Sequence, residues 1–212
     1  MQRPKDEIEQ KILAAAQEEF CDKGFSRASL RTIARKAGIS VSNIYHYFSG
    51  KDVLFRRIVD PTLIRIDAQF RHLELGTEYQ NPARWSYESH LPRMEAVADF
   101  IDSNRKILKL IIFQAHGSSL QNYTDTLIER YARLCLKYLK ESGQIYPGMK
   151  TDVSEFLFHN IASFWMNVIR ELLMHDILRD PMLRFLREIL KFIFSGYEGL
   201  TEYDFSSMKP LK

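Results

Sequence analysis

The sequence predicts an all-α fold, and three observations predict it. Apolar residues recur at spacings of three and four along almost the whole chain. No run alternates apolar and polar residues for long, so strands are not needed. The 9 glycines and 7 prolines among 212 residues fall between the apolar-striped segments and not inside most of them. There is no repeat and no low-complexity tract. The spacing gives about nine helices, a short three-helix segment followed by a larger helical body.

Each element has its own reason. Ile8, Ile12, Leu13, Ala16 and Phe20 place a first helix over residues 5–22, and Gly24 is free to take the cap conformation that ends it. Ser29 is a good N-cap for a second helix, with Leu30, Ile33 and Ala34 inward and Gly38 stopping it. Ser40 caps a short third helix whose inner side carries Ile44 and Phe48. A fourth helix runs from about residue 49 towards 75. Asp60-Pro61 predicts a kink or restart in it, because proline lacks the helical N–H and crowds the preceding turn.

Residues 76–91 read as a loop, followed by helices over 92–103, 105–116 and 120–141. The last of these bears a stripe of Leu127, Ile128, Tyr131, Leu134, Cys135 and Tyr138. Pro147-Gly148 makes a turn. Asp152 and Glu155 stand at capping-box spacing for a helix over 152–175. Asp180-Pro181 reads as an N-cap and first-turn proline for the final helix. These last two helices are apolar on more than one side. Val153, Leu157, Ile161, Phe164, Val168 and Leu172 form one side of the first, and Phe158, Ala162, Trp165, Ile169 and Leu173 another. A helix buried on two sides needs a second partner, and in a chain this short a second subunit supplies it; a deep intramolecular core is the alternative.

The formal charge of +3 is unevenly placed. Residues 1–51 carry nine basic and six acidic side chains, and so hold the whole excess, while residues 52–212 carry 21 of each. Within the first part, residues 23–51 hold six bases and no acid. That asymmetry points to a polyanion, with a merely solvated helical face as the alternative. Other classes are excluded. Hydrophobic content of 45% is too high for a disordered chain. Cys21 and Cys135 stand far apart, which excludes a disulfide scaffold and a Cys-rich zinc site and fits a reducing cytoplasm. No apolar run approaches the roughly 20 residues of a membrane helix, and the charged N-terminus shows no signal peptide.

Residues 29–51, SLRTIARKAGISVSNIYHYFSGK, carry the sharpest signal. Two short helices are joined by a tight turn at Ala37-Gly38-Ile39, where a small residue permits close approach, glycine reverses the chain and Ile39 fills the angle. This is a helix-turn-helix, whose second helix presents its first residues to base edges in the major groove. Asn43 suits an adenine edge, Ser42 donates or accepts, and Val41 suits a thymine methyl. Tyr45, Tyr47 and Lys51 lie where phosphates would run, and Arg31 reaches a phosphate or a guanine. His46 fits a phosphate or a base edge, or is simply exposed.

At these residues the chain resembles the TetR family of bacterial transcriptional regulators. The matching residues are Ser29, Ile33, Ala34, Ala37, Gly38, Ile39 and Ser40, then Tyr45, His46, Tyr47, Phe48 and Lys51, with Phe20 and Gly24-Phe25 before them. The resemblance covers residues 5–60; beyond them only the helical layout is similar. It implies a DNA-binding head over 1–51, a ligand-binding and dimerisation body over 52–199, and a homodimer formed by the last two long helices; residues 200–212 read by themselves as a loose tail. It also implies that Arg31, Ser42, Asn43, Tyr45, Tyr47 and Lys51 touch double-stranded operator DNA. Val41 departs from the polar residue common at its position, and Asp60-Pro61 departs from an unbroken fourth helix.

For the body, an apolar pocket with a few polar groups fits a small apolar or aromatic effector. Phe113, Gln114, His116, Tyr131, His159, Asn160, Trp165 and Asn167 are its candidate residues. Asn160, Ser163 and Asn167 share a helical face, and partners across a dimer seam are the alternative for them. No GxSxG, HExxH, GxGxxG or P-loop is present, so no catalysis, metal or cofactor is expected. The expected function is a cytoplasmic, ligand-responsive repressor that leaves its operator when the effector binds. A helical interaction module without DNA binding is the alternative.

Overall fold

The computed structural model describes residues 3–75 and 87–205. Among them are eight helices and no strand: α1 (Arg3–Arg27), α2 (Leu30–Ala37), α3 (Val41–Tyr47), α4 (Lys51–Leu75), α5 (Tyr87–Phe113), α6 (Tyr123–Ile145), α7 (Glu155–Met174) and α8 (Arg179–Thr201). The all-α expectation holds, and the short turn between α2 and α3 stands where the sequence places it.

Local chemistry accounts for the N-terminal elements. Gly24 breaks α1 with φ 71 and ψ 165, so the chain bends there and one further turn follows to Arg27. This is a positive-φ break that only glycine takes at no steric cost, but it is not the left-handed cap the sequence suggests. Gly38, at φ 70 and ψ 32, is a true left-handed cap, its N–H reaching the carbonyls of Ala34 and Arg35. The Ser40 hydroxyl accepts from the Asn43 N–H at 3.2 Å and caps α3.

Several boundaries differ from expectation. Helix α4 runs unbroken through Pro61. Pro61 is exposed, while Leu54, Phe55, Val59 and Leu63 bury the opposite face. That packing holds the helix through the one hydrogen bond proline forfeits. The two helices expected over 92–103 and 105–116 are the single helix α5, because Met94, Ala98, Ile101, Leu108 and Ile111 bury one continuous stripe across the weak formers Ser103 and Asn104. It begins at Tyr87, so residues 87–91 are helical; the rest of the expected loop, 76–86, lies outside the described residues. The His90 ring, edge-on to Phe194 at 4.9 Å, fastens that first turn. Ser154, not Asp152, caps α7, accepting from the Phe156 N–H at 3.2 Å. Leu178 precedes α8, which places Asp180 and Pro181 inside its first turn, where the missing N–H costs nothing.

Two compact units form: Met1–Asp67 with Asn104–Thr124, and Ala68–Ser103 with Asp125–Lys212. The expected boundary after residue 51 thus differs from the division by compactness, which takes 52–67 and 104–124 into the first unit. Its core joins Ile12, Ala16, Phe20, Ile33, Ile44, Leu54, Phe55 and Val59 to Leu110, Ile111 and Ala115. Phe20, Phe25 and Phe55 interlock, with Phe55 edge-on to the other two at 5.2 and 5.1 Å. In the second unit Leu139, Tyr146, Met149, Phe158 and Phe205 pack together, and Leu172, Leu173, Met182, Leu186 and Leu190 are buried. Residues 200–205 are therefore not loose. Thr201 and Phe205 are buried, and the Thr201 carbonyl accepts from the Lys150 N–H at 2.9 Å. The remainder of the expected tail, 206–212, lies outside the described residues.

Candidate nucleic-acid interface and ligand cavity

The short helix α3 is held from beneath and open above. Ile44 and Phe48 are buried in the first unit's core, which fixes the helix, while Ser42, Asn43, Tyr45 and His46 are exposed. Tyr45 is 54% exposed, a large aromatic with a polar tip left in water. The Ser42 and Ser40 hydroxyls share a hydrogen bond at 2.8 Å, which orients Ser42 along the first turn. Val41 and Tyr47 are half-buried and pack against the core cluster; the Tyr47 ring is edge-on to His46 at 5.6 Å. Arg31 is exposed on α2, as is Arg35 one turn later, and neither side chain makes a hydrogen bond or ion pair among the described residues. Sequence reasoning missed Arg35, although its spacing of four from Arg31 puts both on one side of α2.

The acid-free basic segment is less free than its charge suggests. Lys36 pairs with Glu18 at 2.8 Å and with the buried Glu19 carboxylate at 3.4 Å, tying α2 to α1. Glu19 also accepts from the Ser29 N–H at 3.4 Å. The Lys51 ammonium donates to the carbonyls of Phe25, Ser26 and Ala28 at 2.8, 3.2 and 3.2 Å and sits 4.5 Å over the Phe25 ring. All three of its protons are engaged, so it caps the end of α1 and holds it to the start of α4. Lys51 is expected where phosphates would run; in the structure its ammonium is engaged by the carbonyls at and just after the end of α1, which lack helical partners.

Two of the expected ligand residues also serve the first unit. The break at Gly24 leaves a carbonyl before it and an N–H after it without helical partners. Gln114 satisfies both: its side-chain amide donates to the Cys21 carbonyl at 3.3 Å, and its own carbonyl accepts from the Phe25 N–H at 2.9 Å. The His116 carbonyl accepts from the Ser26 hydroxyl, and the Asp52 carboxylate accepts from the Ser119 N–H at 2.8 Å. Phe113 belongs to the same unit and is exposed. Gln114, His116 and Phe113 do not line the cavity of the second unit.

The cavity lies in the second unit and measures about 180 Å³. Of the expected residues, Tyr131 and Trp165 line it. They are joined by Leu73 of α4, His90, Arg93 and Met94 of α5, Tyr138 of α6, Phe158 of α7, and Ile193, Phe194 and Tyr197 of α8. The Cys135 thiol stands between the hydroxyls of Tyr131 and Tyr197. Burial pushes it up to about 11, against the hydrogen bonds from the two phenols, which pull it down. Burial likewise raises both phenols well above their ordinary value. The trio is neutral, a fixed polar patch in an apolar wall. Beside it, α6 grips the last turn of α4. The Tyr138 hydroxyl donates to the Leu73 carbonyl, Lys137 donates to the Glu74 carbonyl at 3.3 Å, and Arg130 clasps the Glu74 carboxylate with two bonds at 2.6 and 2.9 Å. That guanidinium holds the Glu74 carboxyl below the usual carboxylate range. Neither His90, Arg93 nor Cys135 was singled out for the cavity from the sequence, since nothing local tells which side of a doubly apolar helix a cavity will take.

His159, Asn160 and Asn167 are exposed and do not line the cavity. Asn160 and Ser163 turn back to the Phe156 and His159 carbonyls at 2.7 and 2.9 Å. They share an outward stripe with Phe156, 74% exposed, Phe164 and Met174. Phe164 meets Phe192 of α8, itself 68% exposed, at 6.5 Å, so exposed aromatic rings of the two helices adjoin.

Residues 12–58 match the family described as bacterial regulatory proteins, tetR family. The chain is 35% identical over 175 residues to the HTH-type transcriptional regulator UidR of Escherichia coli strain K12, covering 80% of this chain and 84% of that one. Among solved structures it is similar to a TetR-like transcriptional regulator from a Rhodococcus species, with a TM-score of 0.60, 20% identity and coverage of 89% and 96%. It is equally similar to the transcriptional regulator FadR of Bacillus subtilis, solved in complex with stearoyl-CoA, with a TM-score of 0.60, 15% identity and coverage of 88% and 98%.

Proposed function

The chain belongs to the TetR family of bacterial regulatory proteins, and from that premise we propose that it is a repressor which leaves its operator when a small molecule fills the cavity of the second unit. Helix α3 enters the major groove. Ser42 and Asn43 meet base edges there, while Tyr45, Tyr47 and His46 meet bases or the flanking backbone. Arg31 and Arg35, whose side chains pair with nothing among the described residues, neutralise phosphates and supply the salt-dependent share of affinity. The observation that carries this reading is α3 itself: a capped helix anchored by Ile44 and Phe48 whose whole outer surface is polar or aromatic and exposed.

Two copies pair through the apolar face of α7 and α8. Phe156, Phe164, Phe185 and Phe192 stand on it in water in the single chain, and contiguous exposed aromatics of this kind mark protein contacts. Pairing sets the spacing of two heads against half-sites about one helical turn, roughly 34 Å, apart or a multiple of it. Helices α4 and α5 each carry residues of both units. Helix α4 has Lys51 at the capped end of α1 and Leu73 at the cavity; α5 has Arg93 and Met94 at the cavity and Leu110 in the head core. A ligand that binds better where these helices sit differently shifts the population of head spacings and releases DNA. The relatives named above are transcriptional regulators, and catalysis has no part in this reading.

Selection of bound fragments from genomic DNA, repeated with candidate effectors, tests it. The expected result is a two-fold related site whose retention falls when Asn43→Ala is introduced. Equal retention of all fragments by the unmodified protein, at low and at high salt, would overturn it.

A further inference from the structure

The cavity offers a ring-sized space and one polar patch, and the two together restrict what it holds. Its 180 Å³ compares with the roughly 150 Å³ of an apolar cavity that admits benzene. The rings of Phe158, Trp165 and Phe194 stand on its wall beside Met94 and Ile193, and aromatic walls favour a flat aromatic guest through offset and edge contacts. The polar patch is built on two helices. Tyr131 and Cys135 stand one turn apart on α6, and Tyr197 comes from α8. Both phenols turn to the one Cys135 sulfur. Sulfur is a weak acceptor, and each phenol oxygen keeps lone pairs with which to accept. A guest hydroxyl answers both needs: it accepts from one phenol better than sulfur does, and it donates to the other. The burial that keeps both phenols protonated also penalises a charged guest at the same place. Arg93 on the same lining has a partner of its own, so the guest group is matched to the phenols alone.

We propose that the cavity takes an uncharged single-ring aromatic hydroxyl compound, its ring among Phe158, Trp165 and Phe194 and its hydroxyl between the Tyr131 and Tyr197 phenols. The proposal rests on the effector reading above and names the chemical class of that effector. A site whose polar groups match a hydroxyl discriminates against the analogue that lacks it, whereas a wholly apolar cavity prefers that analogue.

Titration calorimetry of the full-length protein with p-cresol, toluene, 4-methylcyclohexanol and 4-methylbenzoate tests it at neutral pH, where p-cresol is uncharged. p-Cresol is expected to bind about tenfold more tightly than toluene, the worth of one net hydrogen bond. It should also bind more tightly than the alicyclic alcohol and the carboxylate. Tyr131→Phe and Tyr197→Phe each keep the cavity's shape. Each should narrow the ratio of p-cresol to toluene affinity by about threefold or more while leaving toluene binding unchanged. Should one variant fold poorly, the other gives the same reading. Toluene binding as tightly as p-cresol, a ratio that survives both substitutions, or the alicyclic alcohol or the carboxylate binding as tightly as p-cresol would each overturn the proposal. The fragment selection distinguishes the two readings. A protein that retains a specific DNA site but shows no preference for p-cresol keeps the regulator reading and loses this one. A protein that prefers p-cresol but retains no specific DNA does the reverse.

Discussion

Lys51 offers the sharpest test of the head, because the same residue would act differently as a phosphate ligand and as a cap. In Lys51→Met the aliphatic stem remains and three N–H donors vanish. The Phe25 and Ala28 carbonyls that lose them are partly buried, at 2.8 and 3.2 Å, while the Ser26 carbonyl is exposed and rehydrates. Hydrogen bonds to charged groups contribute about 1.5–3 kcal/mol each when buried. Partial exposure discounts two such bonds to about 2 kcal/mol in total, with less than about 1 kcal/mol more from the ammonium over Phe25. Amides of the last turn of α1 should then exchange with solvent about 30-fold faster, since each 1.4 kcal/mol is a factor of ten. Operator affinity should fall, but its dependence on salt should keep the same slope. A phosphate ligand would do the opposite: exchange unchanged, and a slope shallower by about 0.9 for each of two subunits. Unchanged exchange together with a shallower slope would refute the capping role.

The other expectations follow from the same geometry. Arg31→Ala should leave thermal stability within about 0.5 kcal/mol and make the salt slope shallower by about 1.8 for a dimer; a slope unmoved in filter-binding assays would remove Arg31 from the interface. Gly24→Ala forces a side chain onto φ 71, ψ 165 and brings its Cβ to 3.5 Å from Gln114. It should cost about 1–3 kcal/mol by chemical denaturation, and a neutral result would contradict the strain argument. Phe192→Asp puts a charge on the exposed apolar face of α8, and sedimentation should show the 24.9 kDa monomer where the unmodified chain shows twice that mass; a persistent dimer would move the interface elsewhere. For pH, the folded state holds the Cys135 proton more tightly than the unfolded chain, because burial raises the thiol from 9.0 to about 11. Stability from that group is whole below pH 9 and is lost as pH rises from 9 to about 11. The melting temperature of Cys135→Ala should therefore fall less steeply across that window, and parallel curves would refute the linkage.

The head was legible because its information is local. Ser40, Gly38, Ile44 and Phe48 each act within a few residues of themselves, through a cap, a left-handed turn and a buried pair, and such signals survive in a bare sequence. Gln114 shows the limit. On an apolar helix it reads as a cavity residue, yet its amide and carbonyl close a break in α1 some ninety positions earlier. The unpaired groups at Gly24 announce that a partner is needed and say nothing of which. Pro61 failed as a breaker for a related reason: propensity is a weak prior, and the burial of Phe55, Val59 and Leu63 on the far face outweighs it. Asn160 and Asn167 were correctly placed on one face with Ser163, but two alternatives stood open for that face. Only the packing of Phe158, Ala162 and Val168 inward shows that it points away from the cavity.

The charge asymmetry was right in sign and wrong in distribution. Six bases without an acid over residues 23–51 suggest one basic surface. In the folded head, Lys36 and Lys51 instead serve as internal clamps, one on Glu18 and Glu19 and one on three carbonyls, and Lys23 pairs with Asp22 at 3.0 Å. Arg27 donates to the Lys23 carbonyl at 3.1 Å. Of the six bases in residues 23–51, the side chains without a hydrogen bond or ion pair among the described residues are Arg31 and Arg35 on α2, beside the neutral donors of α3. In the proposed complex these two arginines of each subunit add salt-dependent affinity, and base contacts with the pairing of two heads supply the choice of site.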